Sequence, residues 1–191
     1  MIDFSFPAEV EEIRLKVRNF MDDVVRPAWD ATDQSDRSAI VKTIATLRAR
    51  ARNEEHLWLP HMPAEWGGMG LGATAMAAVS AEAAKVSIGP FVLNAQAPDE
   101  GNQHTLHHWG TPEQKEKYLR PLCEGTTRSC FAMTEPEVAG SDPTLIKTFA
   151  YRDGDEWVIN GHKWFISGAR GAKFALLIAR TEEDPDLPQA A

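Results

Sequence analysis

The stretch Phe131–Asp142, FAMTEPEVAGSD, breaks an otherwise regular succession of helix-like and strand-like sequence. It has an apolar start, a Thr-Glu-Pro step and a Gly-Ser-Asp corner, with no hydrophobic period that would bury it. These parts suit a flavin. The ring needs backbone N–H and C=O groups at its pyrimidine edge and an apolar or aromatic wall, while the pyrophosphate needs amides and hydroxyls beside glycine. Phe131, Ala132, Met133 and Thr134 offer a strand edge and a hydroxyl. Ala139, Gly140 and Ser141 offer a phosphate corner, because glycine lets the backbone approach an anion closely. On composition alone, a strand end followed by an Asx-type turn at Asp142-Pro143 accounts for the same residues without any ligand.

Other chemistry-bearing patterns are weaker. Gly68-Met69-Gly70-Leu71-Gly72-Ala73 matches the G-x-G-x-x-A dinucleotide fingerprint in form, but that loop must follow a β-strand, and Pro60-His61-Met62-Pro63-Ala64-Glu65-Trp66 cannot be a central strand. A tight glycine-rich entry to a helix is the better reading. His104 and His108 stand at i,i+4 with His107 between them, yet no glutamate follows His104 and no third ligand is evident, so surface histidines are expected rather than a metal site. No G-x-S-x-G elbow occurs. Cys123 and Cys130 have neither C-x-x-C spacing nor a second pair, which argues against a zinc site or a disulfide framework and for free thiols.

The elements that must position the polar loop can be read from periodicity. Val10, Ile13, Val17, Phe20, Met21 and Val24 give a first helix after Pro7. Ile40, Val41, Ile44 and Leu47 give a second, opening near Ser35 or Asp36. Met76, Val79, Ala83 and Val86 give a third, ended by Gly89-Pro90. A fourth covers Asp99 to Trp109. Thr111-Pro112-Glu113-Gln114 is a capping box that starts a fifth, running to about Cys123 and ending at Gly125. After Arg128 the period becomes that of strands, with turns at Asp153-Gly154 and Asn160-Gly161, further strands over His162–Ser167 and Phe174–Arg180, and a loop at Asp184–Pro188. The expected fold is α+β: an all-α N-terminal domain over residues 1–128, then an antiparallel β-domain over 129–191 that forms an incomplete barrel or sandwich. Four strands at most leave edges unpaired unless more chain or a partner covers them.

Composition narrows the function classes. The 191 residues are 43% hydrophobic, enough for one full core and part of a second, and the net charge of −8 opposes nucleic-acid binding. The N-terminus puts acids where a signal peptide needs basic and apolar residues, and no run approaches a membrane span, so a soluble cytoplasmic protein without membrane insertion is expected.

At the polar loop the sequence resembles the acyl-CoA dehydrogenase family, whose signature runs Thr-Glu-Pro, a short spacer, then Gly-Ser-Asp. Thr111-Pro112-Glu113-Gln114-Lys115 with Tyr118-Leu119, Pro121-Leu122 and Gly125 is similar to the family's preceding helix. Asn160-Gly161-His162-Lys163-Trp164-Phe165-Ile166-Ser167-Gly168 is similar to its NG-x-K-x-W-I-T strand, and Pro63-Ala64-Glu65-Trp66-Gly67-Gly68 resembles its Pro-Glu-aromatic-Gly-Gly turn. The spacer at Pro136-Glu137-Val138 is one residue longer than in most members, a variation of the subgroup containing family members ten and eleven, which in animals handle long or hydroxylated acyl chains. Phe165 stands where most members have tryptophan, and Ser167 where most have threonine.

Carried over by position, the resemblance assigns Phe131, Met133 and Thr134 to the ring edge of FAD, Gly140 and Ser141 to its phosphate region, and Phe165, Ile166 and Ser167 to the far face of the flavin. Ser141 would also touch the acyl-CoA thioester. The reaction implied is α,β-desaturation, with a proton lost to a glutamate and hydride passed to flavin N5. The family's base lies in a C-terminal helical domain beyond this length of sequence, so no catalytic residue is assigned. Glu135 is expected to be a solvent-facing carboxylate. The implied partners are an electron-transfer acceptor and a homo-oligomer or a missing C-terminal half. A fragment or split subunit of the dehydrogenase is the leading expectation; a non-catalytic remnant that binds a partner subunit and a flavin monooxygenase of the same fold are the alternatives.

Overall fold

The computed structural model describes residues 5–181, which divide into two compact units at Thr127/Arg128. In the helical unit, helix α1 (Ala8–Phe20) continues through a π-turn (Met21–Val25) into α2 (Arg26–Asp30). Pro27 explains the interruption. Its ring would clash with a carbonyl four residues back and it donates no amide, and the wider turn just before it removes that conflict. The same device recurs ahead of Pro121, where α7 (Pro112–Gln114) runs through a π-turn (Lys115–Leu119) into α8 (Arg120–Glu124). Between them lie α3 (Arg37–Asn53), α4 (Ala73–Ala83), α5 (Gly89–Val92) and α6 (Asp99–Trp109).

Local signals hold where the cap is local. Asp36 caps α3 by accepting the Ser38 amide at 2.8 Å, and Thr111 and Gln114 form the reciprocal capping box of α7. One expectation changes and one holds. The third helix stops at Ala83, and Gly89-Pro90 opens the short α5, since proline fits a first helical turn. Pro60–Trp66 holds no strand and carries only a 3-10 turn (Ala64–Trp66), with Gly72 as the cap residue of α4.

The core gathers Val17, Phe20, Met21 and Val25 from the first helical run, Leu47 and Ala51 from α3, Val79 and Ala83 from α4, and Val86 to Leu93 around α5. One buried carboxylate locks α1 to α4: Glu82 receives Arg14 at 2.5 Å, Arg18 at 2.8 Å and Lys85 at 2.5 Å. Hydrogen bonding from Arg18, and from Lys85 and Arg14 against the cost of burial, holds its pKa down at about 2. The end of α8 is closed by side chains: Leu122 O accepts from Asn94 and Gln103, and Cys123 O accepts from the Trp58 indole at 3.0 Å. Gly125 follows at φ +73°, and a Cβ there would stand 2.5 Å from the Arg48 guanidinium and 2.9 Å from the Trp58 ring.

The histidines are not a uniform surface set. His61 is buried and its Nε2 donates to Gln103 Oε1 at 2.7 Å, because the Gln103 amide nitrogen is committed to Leu122 O. Its Nδ1 has no partner among the described residues. His104 packs 5.1 Å from the His61 ring, and His107 Nδ1 accepts from the Trp66 indole at 3.1 Å.

The β-unit is smaller. Strand β1 (Ser129–Ala132) pairs in parallel with β4 (Phe174–Leu177); β2 (Phe149–Asp153) pairs antiparallel with β3 (Glu156–Asn160) and in parallel with β5 (Arg180–Thr181). The helices-then-strands order and the open sheet are as expected, whereas among the described residues antiparallel pairing is confined to the β2–β3 hairpin, which turns at Gly154. His162–Ser167 is not a strand. Gly161 is not the hinge of a turn either. A Cβ there would lie 2.2 Å from Thr148 Oγ1, so the glycine permits two segments to touch. The loop expected at Asp184–Pro188 lies outside the described residues.

Burial lowers the pKa of His61 from 6.5 to about 4 despite the Gln103 bond, so between those values the unfolded chain binds a proton that the folded chain does not. The contribution to stability is complete above pH 6.5 and is lost as pH falls toward 4; denaturant midpoints measured from pH 7.5 to 4.5 should decline, and less steeply in His61→Gln. Gly125→Ala should lower unfolding free energy by about 1–3 kcal/mol in urea titrations, because a side chain there meets both the left-handed backbone and the Arg48–Trp58 stack.

Candidate functional site

The polar loop is held by electrostatics. Glu135, expected to face solvent, is 3% exposed. Its Oε2 accepts the Lys147 amide at 2.7 Å, and its Oε1 accepts the Thr148 amide at 2.8 Å and the Lys163 ammonium at 2.9 Å. Burial works against the anion, but donation from Thr148, Lys147 and Lys163 outweighs it and holds the pKa at about 2. The reason for the reversal is non-local: two backbone amides and an ammonium from distant parts of the chain replace the water that a loop acid would otherwise keep. A carboxylate so tied is no general base.

Around this anchor the expected site residues are arranged as follows. Lys163 Nζ also donates to Met133 O at 2.7 Å, and the Trp164 amide donates to Thr134 O at 3.1 Å. Met133 and Thr134 are thereby joined to the segment carrying Phe165, Ile166 and Ser167. Gly140 lies beside Thr134, its notional Cβ 3.8 Å from Thr134 Cγ2, and Gly140 and Ser141 are exposed. Asp142 ends the corner by accepting the Thr144 amide at 3.0 Å, so the Asx turn exists together with the corner. Phe131 is 37% exposed on the face of β1 opposite buried Cys130 and Ala132.

Phe165 is 79% exposed at φ +51°, with its ring 4.5 Å from that of Trp164. A bulky aromatic in the left-handed region is strained, and here the strain turns an apolar ring toward the outside. Ile166 is half-buried and Ser167 exposed ahead of the turn at Gly168.

The carbonyls of Met133 and Thr134 are committed internally, whereas among the described residues the amides of Met133, Thr134, Gly140 and Ser141 have no acceptor. The cluster therefore presents N–H groups, the Thr134 and Ser141 hydroxyls, and an aromatic ring. That donor set suits the ring carbonyls and the phosphates of a flavin nucleotide, while the ring's own N–H would need an acceptor other than the engaged Met133 and Thr134 carbonyls. Lys163, which bonds Met133 O and Glu135, is the site residue that sequence reasoning does not single out; its signal is a lone cation set directly before the run Trp164-Phe165-Ile166.

The helical unit has its own recess, a cavity of about 380 Å³ lined chiefly by Val79, Ala83, Phe91, Leu93, Gln96 and Glu100. Burial raises the pKa of Glu100. Cys123 is buried and its thiol is pushed up to about 12, away from reactivity. Among the described residues no group of three or more His, Cys, Asp or Glu could hold a metal ion, and no helix is long and apolar enough to cross a membrane.

Residues 7–126 match the acyl-CoA dehydrogenase N-terminal domain and residues 130–190 the acyl-CoA dehydrogenase middle domain. Acyl-CoA dehydrogenase family member 11 of Homo sapiens is 38% identical over 182 residues, covering 90% of this chain and 23% of that protein. A solved structure from Mycobacterium abscessus, described as an acyl-CoA dehydrogenase, superposes with a TM-score of 0.84 at 34% identity and covers 97% of this chain and 49% of its own. A glutaryl-CoA dehydrogenase from Mycobacterium smegmatis, solved in complex with FADH2, shares the fold at a TM-score of 0.66 and 23% identity, covering 93% of this chain and 44% of its own. The chain thus spans about half the length of the solved structures it matches and about a quarter of the human relative.

The exposed, left-handed Phe165 can be tested without any ligand. Phe165→Gly should raise the unfolding free energy of the chain by about 1 kcal/mol or leave it unchanged in thermal denaturation, because it removes strain from a ring that is not part of the core.

Proposed function

The chain belongs to the acyl-CoA dehydrogenase family, and from that premise we propose that it contributes the flavin- and thioester-holding part of an oxidoreductase acting on an acyl-CoA. The observation that carries this reading is the donor-rich corner at Met133, Thr134, Gly140 and Ser141, joined by hydrogen bonds to the segment that bears the exposed Phe165 ring. When bound, FAD supplies the hydride acceptor for α,β-desaturation of the thioester.

This chain's residues bind and orient. The Met133 and Thr134 amides and the Thr134 hydroxyl would hold the ring's carbonyl edge, Gly140 and Ser141 the phosphates, and Phe165 with Ile166 and Ser167 would wall off the far face. Ser141 also serves the acyl-CoA. The apolar recess between α4, α5 and α6 suits a hydrocarbon tail, with Gln96 and the Glu100 carboxyl supplying its polar part. The family implies an electron acceptor and an oligomer as partners. Glu135 is excluded as the α-proton base, since an acid held at about 2 by three donors is a poor proton acceptor.

Titration of the 191-residue chain with FAD, followed by quenching of flavin fluorescence, should give saturable binding that Phe165→Ala and Ser141→Asp each weaken about tenfold, the worth of one stacking or phosphate contact. Absence of saturable binding to the wild-type chain overturns the flavin reading. The same chain loaded with FAD should not reduce a dye on addition of acyl-CoA; turnover would place a base among these residues and overturn the assignment of roles.

A further inference from the structure

The two halves of the proposed ring site come from stretches about thirty residues apart, 133–134 and 164–167, and neither belongs to a regular strand. Nothing in a ladder of backbone bonds sets their separation. What joins them is one charged pair and one amide: Lys163 Nζ bridges Met133 O at 2.7 Å and Glu135 Oε1 at 2.9 Å, and the neighbouring Trp164 amide reaches Thr134 O at 3.1 Å.

Both partners are withdrawn from water, with side chains 1% exposed for Glu135 and 9% for Lys163. A buried ion pair is a weak device for stability alone, because removing two charges from water offsets most of their attraction. It is a strong device for geometry. Short charge-assisted bonds tolerate little displacement, and Glu135 is itself fixed by the Lys147 and Thr148 amides ahead of β2. Gly161 lets the chain pass against Thr148 just before it delivers Lys163.

We propose that Glu135 and Lys163 act as a positioning pair, holding the Met133-Thr134 edge and the Trp164-Phe165 wall in one register so that a planar ring meets donor edge and aromatic wall together. Neither side chain touches the ring; both act through the backbone they hold. The inference rests on the flavin reading for what the two stretches meet, but their fixed register stands on this chain's own bonds.

The test uses Lys163→Met, Lys163→Arg and Glu135→Gln in the 191-residue chain, with two readouts. The first is hydrogen exchange at the Trp164 amide. Lys163→Met should lose about tenfold or more of its protection, the scale of one bond to a charged donor, while amides in α3 and α6 are unaffected. Lys163→Arg, which keeps a donor to both oxygens, should restore most of it. Unchanged Trp164 protection in a folded Lys163→Met overturns the proposal. So does equal loss across the whole β-unit in both Lys163→Met and Lys163→Arg, which marks mere destabilisation. The second readout is FAD: affinity should fall about tenfold, and the shape of the bound flavin's visible band should relax toward that of free FAD, in Lys163→Met and Glu135→Gln but not in Lys163→Arg. If wild type binds no FAD, the flavin reading fails, and the exchange result still decides the positioning role.

Discussion

The Glu135 carboxylate is 3% exposed and nonetheless ionised, and an anion withdrawn from water persists only where donors replace its hydration. That requirement organises the β-unit. The chain must bring the amides of Lys147 and Thr148 and the ammonium of Lys163 to one point, which closes the loop after β1, sets the entry to β2, and returns the segment after β3 to Met133. A polar loop without a hydrophobic period thus acquires a defined course without burying apolar surface, and its outer corner at Gly140 and Ser141 is left exposed.

The helical unit solves a related problem with the same chemistry. Glu82 is 4% exposed and is surrounded by Arg14, Arg18 and Lys85, which joins α1 to α4 beside the apolar core. The difference lies in the donors. Glu82 is held by three cations from long, rotatable side chains, an arrangement that ties two helices while tolerating small shifts. Glu135 is held by two backbone amides and one cation, and amides have no rotamers to adjust. The stiffer arrangement occurs where the proposed ring site lies.

What the sequence discloses depends on distance along the chain. The caps at Asp36 and Thr111–Gln114 and the turn at Gly154 are local, so residue type and spacing identify them. The burial of Glu135 is not local: its partners lie 12, 13 and 28 residues away, and nothing in Thr-Glu-Pro distinguishes an acid facing water from one facing Lys163. The parallel pairing of β1 with β4 is likewise set by contacts over some forty-five residues, where alternation alone cannot give direction. Gly161 is a subtler miss. Asn-Gly is the strongest short hairpin signal, but here the glycine serves close approach to Thr148, and a motif read by frequency cannot tell those uses apart. The resemblance to a family locates Met133, Thr134, Gly140, Ser141 and Phe165; it does not disclose which of their polar atoms remain available.

The availability of those atoms bears on what the site selects. With Met133 O and Thr134 O accepting from Lys163 and Trp164, both carbonyls of the Met133-Thr134 edge are engaged while its amides have no acceptor among the described residues. Had those carbonyls stayed free, the edge would offer alternating donors and acceptors and could pair with another strand. Their commitment removes that option and favours a ligand rich in acceptors, such as a ring bearing carbonyls and a phosphate chain. The strained, exposed Phe165 adds an apolar plane, which a strand partner would not need. The charged pair that fixes the geometry therefore also sets the polarity of the site, because any substitution that removes the Lys163 cation also frees Met133 O.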